Sequence, residues 1–325
     1  MERFSQQVRD EVARAEWNGC TDCIKAELAA ILHMSGCIHI VGKEKWSISI
    51  TSESAGVVRR VVRLLKSSYQ VVSEIRVEQV ERLGKHHRYL LMIPAQEKLA
   101  EMTYELGMLT RENRIENGIS PDLVRKPCCR ASFLRGAFLA GGSISDPQKT
   151  TYHLELVASN EEFADGLVYL MSLLNLKAKQ GKRKEQYLVY LKDSESIARF
   201  LSLINAYQGV IKLEEIRVIK GLRGEVNRLV NCETANLEKT LSTAWRQVEL
   251  IRRLMKENLF SQLSANLQYT ASLRLEHPEA SLKELAELHQ PPISKSAVNH
   301  RLREIGRFAE KFLDDAGDAL IKEKE

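Results

Sequence analysis

Two segments of the chain share one order of apolar and polar positions. The stretches KAELAAILHMSG at 25–36 and RASFLRGAFLAGG at 130–142 each have the spacing of an apolar helix that ends on glycine. An alternating strand pattern follows in each case, WSISITS at 46–52 and YHLELVAS at 152–159, and then come an amphipathic helix and two more strands. The repetition predicts two copies of an α-β-β-α-β-β unit.

The adjacent glycines at the end of the second apolar helix need an explanation, because glycine costs about 1 kcal/mol relative to alanine inside a helix. Small side chains let two helices approach closely. We therefore expect the two apolar helices to pack about a pseudo-two-fold axis, with Ala140, Gly141 and Gly142 facing Met34, Ser35 and Gly36. The alternative, a helix C-cap in which glycine takes a positive φ, accounts for Gly142 but not for Gly141.

The pattern divides the chain into four parts. Residues 1–94 hold the first copy with an N-terminal helix, 95–126 a linking helix and loop, 127–221 the second copy, and 222–325 an almost continuously helical region. We therefore predict an α+β fold, in which a two-copy αββαββ scaffold is followed by an all-α domain.

A helix-turn-helix is predicted within the helical region, at about 276–309. Ser281 is suited to cap the first helix, with Glu284 completing a capping box. The prolines at 291 and 292 end that helix, and Ser294 caps the next one. The second helix has an apolar face of Ala297, Val298, Leu302, Ile305 and Phe308.

The polar positions of this motif are the candidate DNA contacts. In a helix-turn-helix, the start of the second helix meets base edges in the major groove, where Asn pairs with adenine and Arg with guanine, and Lys, Ser and the helix N-terminus hold phosphates. The candidates are Lys283, Ser294, Lys295, Ser296, Asn299, His300, Arg301, Arg303 and Arg307. The alternative is the solvated face of an amphipathic helix in a bundle. His300 alone is interpreted as a surface histidine and not as a metal ligand.

Composition narrows the class of protein. The chain is 44% hydrophobic and 28% charged with a net charge of +5, so the charge balance alone says little about a polyanionic partner. No stretch approaches the ~20 apolar residues that a membrane span requires, and the N-terminus lacks an apolar signal core. We expect a cytoplasmic, nucleoid-associated protein without membrane contact.

Six cysteines lie at positions 20, 23, 37, 128, 129 and 232. Cys20 and Cys23 have a spacing found in zinc and redox sites, but a four-ligand zinc site needs a second pair at similar spacing, and Cys128-Cys129 does not provide it. We therefore expect reduced, partly buried thiols, no metal and no cofactor.

The paired apolar helices resemble those of the LAGLIDADG homing endonucleases. The resemblance implies a helix interface with sheets that saddle DNA, and an acidic residue near the end of each helix that holds the catalytic metal. Here those two positions are Ser35 and Gly141, and neither provides a carboxylate for a hard cation. Asp22 and Asp146 are the nearest replacements, and an active endonuclease that uses such displaced acids is the alternative to a non-catalytic protein.

The combination of a degenerate LAGLIDADG pair with a C-terminal helix-turn-helix resembles the WhiA family of bacterial regulators. The stretch NRLVNCETANLEK at 227–239 is similar to a second signature of that family, and its Arg228, Asn231, Asn236 and Lys239 are accessory candidates for DNA contact. The resemblance implies a protein that binds double-stranded DNA, regulates transcription, and acts in sporulation in some lineages and in cell division or chromosome segregation in others.

The role of the scaffold stays open at this stage. Lys182, Arg183 and Lys184 form a basic strand-loop that either contacts DNA or is the solvated edge of a sheet. A scaffold that binds transcription or cell-division proteins, with DNA contact left to the tail, is a further alternative. Because two copies provide pseudo-symmetry within one chain, we expect a monomer.

Overall fold

A computed structural model describes residues 4–16, 20–42, 45–80 and 86–322, with the side chains of 80, 86 and 313–322 excepted. The chain divides into two compact units, 1–220 and 221–325. In the described part of the chain, no helix is both long and apolar enough to span a membrane.

The first copy of the repeat forms a four-stranded antiparallel sheet with helices on one face. Its elements are α1 (Phe4–Arg14), α2 (Thr21–Ser35), β1 (Gly36–Gly42), β2 (Lys45–Ser52), α3 (Ala55–Ser68), β3 (Glu74–Val80), β4 (His86–Ile93) and α4 (Glu97–Glu105). The strand order is β1-β2-β4-β3. Alternate residues of β2, namely Trp46, Ile48 and Ile50, are buried against the helices.

The second copy repeats this arrangement. After a 3₁₀ turn at Pro121–Val124 come α5 (Pro127–Gly141), β5 (Gly142–Ile144), β6 (Leu154–Ala158), α6 (Glu161–Ser172), β7 (Lys179–Arg183), β8 (Gln186–Leu191) and α7 (Ser194–Leu203). The strand order is β5-β6-β8-β7, which matches the first sheet strand for strand. The predicted pair of αββαββ units is confirmed.

The two apolar helices, α2 and α5, pack against each other in the centre of the first unit. They approach closely at Gly136, where an added Cβ would lie 2.2 Å from the backbone oxygen of Glu27. The prediction put the close approach at the helix ends. That is right for Gly141, where a Cβ would meet the Cε of Met34 at 2.9 Å, but it misses the close approach at Gly136.

Neither sequence interpretation of Gly142 holds. Its φ is −86°, so the helix does not end in a left-handed glycine cap. An added Cβ at this position would overlap Phe138 of its own helix, and it would not meet α2 among its nearest neighbours. Gly142 is therefore required because the chain passes directly from α5 into β5, and a side chain at this position would collide with Phe138.

A charged group lies buried at the centre of this helix pair. The carboxylate of Glu27, on α2, pairs with the guanidinium groups of Arg60, on α3, and Arg135, on α5. Arg60 also donates to the backbone oxygens of Ala13 and Ala15, and Arg135 to that of Ile204. Since buried charges are tolerated only when they are paired and hydrogen-bonded, these contacts fix the packing of three helices.

The second unit is helical. Its elements are α8 (Tyr207–Lys256), of which the part up to Lys220 belongs to the first unit, a 3₁₀ turn at Phe260–Gln262, α9 (Ala265–Glu276), α10 (Leu282–Leu288) and α11 (Lys295–Lys322). The core consists mainly of aliphatic side chains from these helices, among them Ile251, Leu254, Ala271, Leu285, Val298, Leu302 and Ile305.

Candidate nucleic-acid interface

The helix-turn-helix begins with the predicted capping box. The hydroxyl of Ser281 accepts a hydrogen bond from the N–H of Glu284, and the Glu284 carboxylate accepts one from the N–H of Ser281 at 2.7 Å. The backbone bond lowers the pKa of Glu284. Both donors would otherwise have no partner at a helix N-terminus, so this box fixes where α10 starts.

The turn between α10 and α11 is held by backbone contacts and by a second cap. The N–H of Ile293 donates to the carbonyl of Ala286 at 3.1 Å, which folds the segment after the two prolines back onto α10. The hydroxyl of Ser294 then accepts from the N–H of Ala297 at 3.2 Å, as a helix N-cap does. The predicted cap at Ser294 is therefore present, and α11 starts at Lys295.

Most candidate contacts share one face of α11. At about 100° per residue, the side chains of Lys295, Ser296, Asn299, His300, Arg303 and Arg307 fall within an arc of about 140°. This arc, which we call the α11 polar face, lies away from the core positions Val298, Leu302 and Ile305. All six side chains are exposed except Asn299, which is half-buried. Lys283, on α10, is exposed as well, and so is the cap Ser294.

Arg301 does not belong to the α11 polar face. It lies about 160° around the helix from Arg303. Its guanidinium Nη1 is 3.4 Å from the hydroxyl of Thr270 on α9, and the residue is half-buried. The helix phase set by the core residues places Arg301 against α9, so the structure groups it with the packing of the motif.

Acidic side chains limit the basic character of the polar face. Glu304 lies at its edge, with a carboxylate oxygen 3.6 Å from Nδ1 of His300. Glu310 lies one turn beyond Arg307 and is exposed. The basic surface is therefore concentrated at the first three turns of α11, where the helix N-terminus adds its partial positive charge.

A buried polar network supports the turn, and the sequence analysis did not identify it. His289, which immediately precedes Gln290-Pro291, places Nε2 3.0 Å from the hydroxyl of Thr270 and Nδ1 2.8 Å from the carbonyl of Leu285. Separately, at the connection between α9 and α10, Arg274 donates to the carbonyl of Ala280 at 2.6 Å, and burial lowers the pKa of its guanidinium. A histidine two residues before a helix-ending proline pair was the available sequence signal.

The accessory candidates on α8 are all exposed. Arg228, Asn231, Asn236 and Lys239 lie within an arc of about 140°, so they share one side of the helix. The amide of Asn236 donates to Sγ of Cys232 at 3.7 Å. Most of the opposite side is apolar and exposed, with Leu222, Val226, Val230 and Leu237.

The basic strand-loop is a hairpin at the edge of the second sheet. Lys184 takes a left-handed conformation, with φ 57°, in the short turn between β7 and β8. Nζ of Lys182 stands 5.0 Å from the ring centre of Tyr187, and Arg183 lies 3.8 Å from a carboxylate oxygen of Glu155. Lys182, Arg183 and Lys184 are all exposed, so their charges lie at the surface.

The two positions that correspond to the catalytic acids have no carboxylate. The hydroxyl of Ser35 donates to the carbonyl of Ile31 at 2.8 Å, and Gly141 has Met34 and the backbone of Val157 where a side chain would start. Asp22 pairs with Lys126 at 2.8 Å at the other end of α2, about 20 Å from Ser35. Asp146 accepts from the N–H of Gln148 in a turn.

The cysteines require a correction. The sequence analysis rejected Cys128-Cys129 as partners of Cys20 and Cys23, but the structure brings all four sulfurs together at the first turns of α2 and α5. Spacing along the chain did not reveal this, because the two pairs come from different copies of the repeat. Burial tends to raise the pKa of Cys20, but hydrogen bonds from the N–H and thiol of Cys23 and from the thiols of Cys129 and Cys128 lower it to about 7. Burial raises the pKa of Cys23 and of Cys129.

Comparisons with known proteins agree with this geometry along most of the chain. Residues 21–109 match the WhiA N-terminal LAGLIDADG-like domain, residues 130–223 the WhiA LAGLIDADG-like domain, and residues 226–309 the WhiA C-terminal HTH domain. The described structure is also similar to the crystal structure of full-length DUF199/WhiA from Thermatoga maritima, with a TM-score of 0.59 and 25% identity over 96% of this chain and 99% of that one.

Curated relatives share both sequence and length with this chain. A protein of Desulforamulus reducens, named probable cell division protein WhiA, is 45% identical over 311 residues, which cover 95% of this chain and 96% of the relative. A protein of Macrococcus caseolyticus with the same name is 42% identical over 95% of this chain and 96% of its own length. Together with the two sheets and the helix-turn-helix, these matches establish that the chain belongs to the WhiA family.

Proposed function

We propose that this protein is a sequence-specific DNA-binding regulator of transcription, and that α11 reads double-stranded DNA in the major groove. The observation that supports this most directly is the α11 polar face, whose basic and amide side chains lie on the side of a capped helix-turn-helix that does not form the core. The match to a helix-turn-helix domain family over 226–309 adds support.

The residues of the polar face divide by their chemistry. Asn299 and Arg303 lie one and two turns into α11, where Asn is suited to pair with adenine and Arg with guanine. Lys295, Ser296 and the backbone N–H groups at the start of the helix bind phosphate, as does Lys283 from α10. Arg307, further along, contacts the backbone. His300 lies at the flank of this footprint.

The protein does not cleave DNA in this proposal. A magnesium-dependent nuclease needs carboxylates where Ser35 and Gly141 stand, and the hydroxyl of Ser35 is already bonded to its own helix. The relatives' name, probable cell division protein, supports a role in cell division. In this proposal the protein acts in the cytoplasm at the nucleoid, alongside transcription or cell-division proteins. Sporulation belongs to the same proposal for lineages that sporulate. The protein acts as a monomer with no metal in any catalytic role.

Selection of duplexes from a random library with the full-length protein tests the proposal. We expect one motif to be enriched, and Asn299→Ala to relax the base preference at one position of that motif.

A parallel assay incubates supercoiled plasmid with the protein and Mg²⁺ or Mn²⁺, and no nicking is expected. An unenriched library would refute sequence-specific reading, and metal-dependent nicking would support the endonuclease alternative.

A further inference from the structure

Four cysteine sulfurs lie together at the N-terminal ends of the two central helices. Sγ of Cys20 is 3.6 Å from that of Cys23, 3.8 Å from that of Cys128 and 3.7 Å from that of Cys129, and Cys23 and Cys129 are 3.8 Å apart. All four sulfurs lie within 4.8 Å of one another. Each is a free thiol.

We propose that Cys20, Cys23, Cys128 and Cys129 bind one Zn²⁺ ion in a closed tetrahedral site. Zinc bonds thiolate sulfur at about 2.3 Å, so the sulfurs at the corners of a regular tetrahedron around it stand about 3.8 Å apart. The four separations given above agree with that value, and the other two are at most 4.8 Å. The arrangement thus needs little movement of the side chains to accept the ion.

The four cysteine thiolates determine which metal ion the site prefers. Four thiolates form a soft site that suits zinc, whereas magnesium and calcium require oxygen ligands. An iron–sulfur cluster spreads its cysteines over two or more iron atoms and inorganic sulfide, which demands wider separations than a single ion does. The nearby carboxylate of Asp22 is bonded to Lys126 and points to that partner, so it does not compete as a ligand.

Positive charge lies close to the cluster, and the ion has a path to enter. The cluster lies at the N-termini of α2 and α5, where helix dipoles stabilise negative charge. The ammonium group of Lys126 adds a positive charge, and its pKa is raised mainly by Asp22 and to a lesser extent by Cys20 and Cys129. Cys23 and Cys129 are buried, whereas Cys128 is exposed and Cys20 is half-buried, so the ion has a path from solvent.

The site joins the two copies of the repeat. Cys20 and Cys23 come from the first copy, and Cys128 and Cys129 from the second. The ion would hold the N-terminal ends of α2 and α5 together, while Gly136 and Glu27 make the close contact further along the pair. All four ligand positions are filled by protein, which is typical of structural zinc and not of catalytic zinc. This site is independent of the proposed DNA contact.

Metal analysis of the purified full-length protein tests this proposal. The protein is prepared without a histidine tag, under reducing conditions, from zinc-supplemented medium, and its metal content is measured by mass spectrometry. We expect one zinc per chain. Cys128→Ser, which alters an exposed side chain, and Cys23→Ser should each lower the zinc content at least severalfold, whereas the matched controls Cys37→Ser and Cys232→Ser should keep it.

Cobalt provides a readout that does not depend on the stability of the variants. Co²⁺ added to the chelator-stripped wild-type protein should give the intense visible absorption of tetrahedral thiolate coordination, and one equivalent of Zn²⁺ should abolish it. Zinc should also raise the melting temperature of the wild-type chain and leave that of Cys128→Ser nearly unchanged. A metal-free reduced protein that fails to take up either ion would overturn the proposal, as would iron with sulfide in place of zinc, or zinc retained in both cluster variants.

Discussion

The guanidinium of Arg301 lies 3.4 Å from the hydroxyl of Thr270, and the residue is half-buried. Arg303, two residues further along α11, is exposed. Two arginines that look equivalent in the sequence therefore have different surroundings. Thr270 in turn lies 3.0 Å from Nε2 of buried His289, so Arg301 extends the polar network that supports the turn. The first of these arginines is assigned to stability, and the second to DNA.

Replacing Arg301 with alanine should lower the free energy of unfolding of the protein and have little effect on its DNA contacts. Removing a partner of Thr270 costs about 1 kcal/mol, the usual contribution of one hydrogen bond. Thermal unfolding followed by circular dichroism measures this, with Arg199→Ala as the control because Arg199 is exposed on α7. Equal melting temperatures for the two variants would contradict the assignment.

Replacing Glu27 with glutamine should destabilise the first unit strongly. The change removes the negative charge of Glu27 from between the buried Arg60 and Arg135, and breaking a buried ion pair from one side costs about 3–5 kcal/mol. Urea unfolding of the full chain measures the loss. Glu112→Gln, at an exposed position, is the matched control and should change stability by less than about 0.5 kcal/mol.

Replacing Gly136 with alanine should also destabilise the helix pair, because the added Cβ would meet the backbone of α2 at Glu27, which cannot move aside as a side chain can. Overpacking of this kind costs about 1–3 kcal/mol. Gly221→Ala makes the same change within α8. Among the described residues, no atom outside its chain neighbours and its own turn of helix lies within 4 Å of the added Cβ, so this change should stabilise by up to about 1 kcal/mol. A Gly136 variant as stable as the wild-type chain would show that the helices can separate at no cost.

Replacing Lys182, Arg183 and Lys184 together with alanine tests the hairpin. If it contacts DNA, affinity falls and the dependence of log affinity on log salt becomes shallower by about 0.9 for each phosphate contact removed. Fluorescence anisotropy on one duplex at several salt concentrations measures both. An unchanged slope assigns these charges to a solvated sheet edge.

The parts of the fold that depend on local periodicity were predictable from the sequence. The alternating pattern of residues 46–52 and the apolar spacing of residues 25–36 can each be recognised within a short segment. Because the same order of patterns occurs twice, the two-copy architecture could be predicted as well. The capping box at Ser281 was equally local, because its two partners are three residues apart.

The parts that depend on contacts between distant segments were not predictable. Cys23 and Cys129 are 106 residues apart, and only the packing of α2 on α5 brings their sulfurs to 3.8 Å. The close approach at Gly136 has the same origin. The prediction that placed Arg301 with the DNA contacts was wrong for a different reason, since the sequence held the necessary information. The positions of Val298, Leu302 and Ile305 already fix the phase of α11 and place Arg301 beside the core.

The most direct test of the account compares the DNA affinity of four full-length proteins: the wild type, Arg303→Ala, Arg301→Ala and Arg199→Ala. Each is titrated against the fluorescent duplex obtained by selection and against a scrambled duplex. We expect Arg303→Ala to lose about 1–3 kcal/mol on the selected duplex and to lose discrimination between the two, while the other two variants bind as the wild type does. Normal binding and discrimination by Arg303→Ala would contradict the claim that α11 reads DNA.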